Sequence, residues 1–204
     1  MFFLTGCTTT KPDTSRTSSV FVSCSGKFNC PIPEERKQGI VAELRESGHP
    51  KAQELADAIE SGKTKLYELN DKARKILRVP KDAIATPAGN DIFIDTLNTA
   101  YSDKELSVWA MHEYGHILTS RAGTLLVDAP TRLIHERNAF TLQSEYWETL
   151  KNNSFFLLKH PDFNFYLNHW KNGTLDDVIK KRYGINIERY LEWKKTNDYD
   201  ADDF

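Results

Sequence analysis

The sequence lacks any apolar run approaching the roughly twenty residues that cross a bilayer, and its mean hydropathy of −0.56 excludes a polytopic membrane protein. It also lacks a basic excess: 27 lysines and arginines stand against 29 aspartates and glutamates, with a pI near 6.3. Charge alone would therefore draw the chain neither to nucleic acid nor to acidic lipid. No internal repeat is found. Cysteine is scarce, at three residues, and the two cysteines and one histidine spread over residues 24 to 49 do not match zinc-ribbon spacing. What is present is 204 residues, 39% apolar and 11% aromatic. That suffices for one domain with a real core and is too short for two large ones.

The three cysteines fall near the N-terminus. Leu4-Thr5-Gly6-Cys7 follows a short apolar stretch and precedes Thr8, Thr9 and Thr10. It resembles the lipobox of bacterial lipoproteins, in which the cysteine becomes the first mature residue and carries the lipid. A signal peptide needs a basic start and a longer apolar segment than these six residues offer, so the expectation is either a true start upstream or a trimmed sequence. Residues 8 to 27 are rich in Ser, Thr and Lys, as a flexible tether would be. With Cys7 lipidated, Cys24 and Cys30 remain as an even pair, a candidate disulfide in an oxidising compartment. The expected division is a lipobox and tether over 1 to 30, one domain over 31 to 197, and an acidic tail over 198 to 204.

Within the domain, breakers at Ser47-Gly48-His49-Pro50 and Ser61-Gly62-Lys63 divide residues 33 to 79 into three expected helices, 34 to 46, 51 to 60 and 64 to 77. Ala52, Leu55, Ala56 and Ile59 mark an amphipathic stripe in the second. In the third, residues 66 to 69 also suit a strand. Pro80 and Pro87-Ala88-Gly89-Asn90 then break the pattern, and the β-branched and aromatic run 91 to 95 reads as a strand. Ser102 with Glu105 forms a capping box for a helix running to Arg121, with Gly123 as its stop. A second long helix is expected over 131 to 152, then shorter ones over 163 to 171, 174 to 183 and 187 to 195.

The first long helix contains His112-Glu113-Tyr114-Gly115-His116. Histidines at i and i+4 lie on one helix face, so both imidazoles can reach one ion, and the glutamate between them can polarise water there. Trp109, Ile117 and Leu118 make the surroundings apolar. A third histidine in the metzincin position would fall six residues after His116, with glycine at the third; Ala122 and Thr119 stand there, which excludes that class. Glu136, twenty positions beyond His116, is the best third ligand. Leu133, Glu136, Phe140, Gln143, Trp147 and Leu150 follow at alternating steps of three and four, which places Glu136 inside an apolar stripe where an unpaired carboxylate would be costly. Glu145, His135 and Asp128 are its rivals.

Strand, His-Glu-x-x-His helix, loop and glutamate-bearing helix together resemble the gluzincin branch of the zincin metallopeptidases, over about residues 90 to 150. The resemblance implies a mostly helical α+β fold with a small sheet packed on two central helices. It implies Zn2+ held by His112, His116 and Glu136, with Glu113 as general base and a peptide or protein substrate. It also implies that residues 91 to 95 form the edge strand lining the cleft. The family often places an aspartate four residues after the glutamate ligand to support a ligand histidine; Phe140 stands there, so that support is expected from Asp128 or a backbone carbonyl. One of Tyr166, His169 or Tyr183 would stabilise the oxyanion. His160 and Tyr146 read as surface or packing residues. The expected location is the periplasmic side of a bacterial envelope, membrane contact being through the lipid only. The alternatives are a lipid-anchored, non-catalytic binding protein with a structural zinc and a cytosolic or secreted toxin-like protease.

Overall fold

The computed structural model of the protein describes residues 27–98, 100–124, 128–153 and 160–196. Cys7, Cys24, nearly all of the expected tether and the acidic tail lie outside the described residues. Cys30 is described: it is buried, its Sγ 3.7 Å from the carbonyl oxygen of Pro31, and the expected pairing with Cys24 lies outside the described residues. Among those residues eight helices and three strands are found, a mostly helical α+β arrangement, and no helix is long and apolar enough to cross a membrane.

Two helices, α1 (Glu34–Glu46) and α2 (Pro50–Glu60), form where periodicity puts them. Ile40, Val41 and Leu44 of α1 face Ala52, Leu55, Ala56 and Ile59 of α2 across one buried cluster. Gly48, at φ +70°, turns the chain between them, a conformation that costs glycine little. The expected third helix, 64 to 77, is corrected. Residues Leu66–Glu68 are strand β1, and only Asp71–Leu77 is helix, α3. Asn70 decides the boundary, because its side chain accepts from the N–H of Ala73 at 3.0 Å and starts the helix there.

Strand β2 (Ala85–Ala88), which periodicity does not announce, turns at Gly89 and Asn90 into β3 (Asp91–Ile94), its antiparallel partner. On the other side β1 runs parallel to β3, Tyr67 opposite Phe93, so the order is β1-β3-β2. This overturns the expectation that residues 91 to 95 form an edge: β3 is the central strand, paired on both sides. Its apolar run, with Ile92, Phe93 and Ile94 all buried, suits that place. Pro87, which cannot donate to a ladder, sits on the edge strand.

The sheet packs on α4 (Asp103–Arg121), which begins in the expected capping box: Ser102 N–H donates to Glu105 Oε2 at 2.8 Å, and Glu105 N–H to Ser102 Oγ at 3.2 Å. Helix α5 (Ala129–Asn153) lies antiparallel on α4. A Cβ on Gly115 would stand 2.6 Å from the Cα of Ala139, so the absence of a side chain at Gly115 sets how closely the two backbones approach and locks their register. Two turns away Ser107 Oγ and Tyr146 OH share a hydrogen bond of 2.9 Å. Helices α6 (Pro161–Lys171), α7 (Leu175–Tyr183) and α8 (Ile187–Thr196) pack on α5, and Phe163 of α6 also meets Trp109 of α4. Leu133 and Phe140 meet Tyr166, Leu175 and Ile179 in a second core there.

Candidate metal centre

The α4–α5 register brings the two histidines of α4 opposite the first third of α5. Their rings stand edge to face, 5.0 Å between centroids, as the i, i+4 spacing requires. His112 Nε2 lies 4.0 Å and His116 Nε2 3.9 Å from Glu136 Oε2. Of the described His, Cys, Asp and Glu residues, His112, His116 and Glu136 alone form a group of three or more able to hold a metal ion, their ligand atoms within 4.8 Å of one another. Glu136 Oε2 is buried with no hydrogen-bond partner, a condition that a cation relieves.

The protonation states agree with that reading. Burial, and then the neighbouring His116, hold His112 well below the ordinary imidazole range, against a small opposing influence of Gln143. Burial and the nearby His135 push His116 down to about 4. Both rings are thus neutral near pH 7, each with a lone pair to give. Burial raises Glu136, against the hydroxyl of Tyr183 and the charges of Arg132 and Arg182. Burial, with Glu136 behind it, lifts Glu113 to about 8. Four groups that each disfavour their charged form in one apolar enclosure are what a divalent ion would reorganise.

The walls come from aromatic rings. Phe140 packs on His112 at 4.4 Å, and Trp109 meets the same ring edge-on at 6.3 Å. Of the rivals for third ligand, none joins the group. His135 stacks on His116 with centroids 5.8 Å apart, but its Nε2–H donates to the carbonyl oxygen of Thr124 at 2.8 Å. Glu145 faces His49 at 4.0 Å. Asp128 caps α5, accepting from Thr131 N–H at 2.8 Å, and accepts from Tyr190 OH at 2.8 Å.

Among the oxyanion candidates, Tyr183 at the end of α7 lies beside Glu136, and that carboxylate together with burial holds its hydroxyl well above the ordinary phenol range. Tyr166 stacks on Phe140 at 3.8 Å with its hydroxyl buried and unpartnered. His169 is turned away, its Nδ1 2.7 Å from Thr174 Oγ1. Sequence reasoning passed over Arg132 and Arg182, whose guanidinium carbons sit 5.3 Å and 5.5 Å over the rings of Tyr183 and Tyr166. Their only sequence signal was being four before Glu136 and next to Tyr183. Compared with known proteins, the chain matches no family model, no curated protein and no solved structure.

Proposed function

We propose that the protein is a zinc-dependent peptidase of the zincin type, and the observation that carries this is the convergence of His112, His116 and Glu136 from two antiparallel helices beside the buried Glu113. Two imidazoles and one carboxylate are a ligand set with which zinc keeps a position open. Zinc bonds of about 2.0–2.1 Å put two tetrahedral ligands about 3.3–3.4 Å apart, near the 3.9–4.0 Å separations found. A zinc ion held by these residues supplies Lewis acidity toward a carbonyl and toward water. Glu113 has the proton-transfer role: its carboxylate accepts a proton from the attacking water and returns it to the leaving amine. Tyr183, held protonated beside Glu136, is the donor placed for the developing oxyanion, with Arg182 beside it.

The test is zinc analysis and hydrolysis assays on wild type and Glu113→Gln. One zinc per chain in both, with hydrolysis in the wild type alone, is expected; loss of zinc from a folded variant would show that Glu113 is a ligand rather than a base. A second reading, zinc held for folding only, is favoured by the burial of the site, His112 being 5% and Glu113 6% exposed. Zinc-loaded protein inert toward a broad peptide library and casein would select it. Leu4-Thr5-Gly6-Cys7 supports a lipid anchor at Cys7 on the periplasmic side of the envelope. Expressed behind a signal peptide, Cys7→Ser is expected to leave the membrane fraction, and unchanged partitioning would remove the anchor.

A further inference from the structure

Gln143 is fully buried in the α4–α5 interface, at 0% exposure, and neither its Oε1 nor its Nε2 has a hydrogen-bond partner. Leaving an amide so placed is costly, and an apolar residue of the same size would avoid that cost. His112 Nδ1 is buried and unpartnered as well. The helix register sets the two opposite each other. Phe140, one turn before Gln143, touches the His112 ring, and Tyr146, one turn after it, bonds Ser107 on α4. Neither the amide of Gln143 nor Nδ1 of His112 makes a hydrogen bond to any other group.

We propose that Gln143 is a positioning residue for His112, its Oε1 accepting from Nδ1–H and so fixing the tautomer whose Nε2 lone pair faces Glu136. The inference rests on the metal reading of the site. With Nε2 turned toward Glu136 Oε2, the imidazole proton belongs on Nδ1, and the group that meets it has to be an acceptor. Phe140 offers none, and Asp128 is engaged by Thr131 and Tyr190. The amide oxygen of Gln143 is such an acceptor, and its terminal torsion is broad enough to let Oε1 reorient toward Nδ1. Such partners hold a ligand ring in orientation and raise its basicity.

Zinc affinity by competition with a chromophoric chelator, the melting temperature of metal-free protein, and nitrogen-15 histidine spectra test this on the full chain. Gln143→Leu is expected to weaken zinc binding about 10- to 100-fold, with metal-free stability unchanged or raised. Its His112 resonances should show both tautomers where the wild type shows Nδ1–H alone. Gln143→Glu, which keeps an acceptor, should restore affinity to wild type or above. Should the leucine variant not fold, Gln143→Met carries the same expectation in a side chain closer in shape. A folded leucine or methionine variant with wild-type affinity, or a glutamate variant no tighter than they are, overturns the proposal. Wild-type protein that takes up no zinc overturns the metal reading and this inference with it, an outcome distinct from the other two.

Discussion

Glu113 is buried, and its displacement to about 8 fixes a sign. Folded metal-free protein keeps a proton on Glu113 that the unfolded chain releases near pH 4.5, so folding loses stability as pH rises toward 8. His116, lowered to about 4, acts oppositely, its contribution being complete above pH 6.5 and lost on the way down to 4. The two oppose each other between pH 4.5 and 6.5, leaving Glu113 as the larger influence from 6.5 to 8. Metal-free wild type should lose roughly 2 kcal/mol across that window, and Glu113→Gln should flatten the slope; equal slopes in urea titrations would refute it. At this scale the sequence was legible where charge made an oddity costly. Glu136 in an apolar stripe demanded a cation, whereas Gln143 in the same stripe did not stand out, because an uncharged amide finds partners in many folds.

Elements were legible to the extent that length and caps spoke for them. The capping box of Ser102 and Glu105 and the amphipathic stripe of α2 predicted their helices closely. Strand β2 escaped and β1 was legible only as an alternative to helix, because they are four and three residues long and offer almost no period to read. Leu66 and Leu69 even mimic a helical i, i+3 pair until Asn70 caps α3. That β3 is central rather than an edge follows from its pairings with β1, which the pattern offered only as an alternative to helix, and with β2, which it did not reveal. Close approach of α4 and α5 has one sharp dependence, Gly115. Gly115→Ala sets a methyl group 2.6 Å from the Cα of Ala139, a backbone atom that no rotamer change can move. The helices must separate, and we expect a loss of about 1–3 kcal/mol together with weaker zinc binding, since Glu136 would draw back from both histidines. Calorimetry with a metal titration checks both, and an unchanged affinity would show that the centre tolerates a shift in register.

At the scale of the molecule, periodicity along one chain cannot say which helix covers which face. The placement of α7, with Tyr183 beside Glu136 and Arg137 of α5 bound to Asp176 of α7, became visible only in three dimensions. That arrangement makes the centre a joint between α4 on the sheet side and α5 with its covering helices, so ion binding and global stability should be linked. At a free zinc concentration of a hundred times Kd, a site present only in the folded state adds about 2.7 kcal/mol, or about 5–10 °C in melting temperature for a chain of this size. Glu136→Ala should abolish most of that zinc-dependent rise. Glu145→Ala, which touches only the His49 side, should keep it. Were Glu136 instead an ion-pair partner of Arg132 or Arg182, its removal would lower stability by about 3–5 kcal/mol with and without zinc alike, and the zinc-dependent rise would survive. Melting curves of the three proteins with zinc and with a chelator separate the cases: a full zinc response in folded Glu136→Ala would falsify the ligand assignment, whereas a flat response there beside an intact one in Glu145→Ala would leave Glu136 as the residue that ties α5 to the ion.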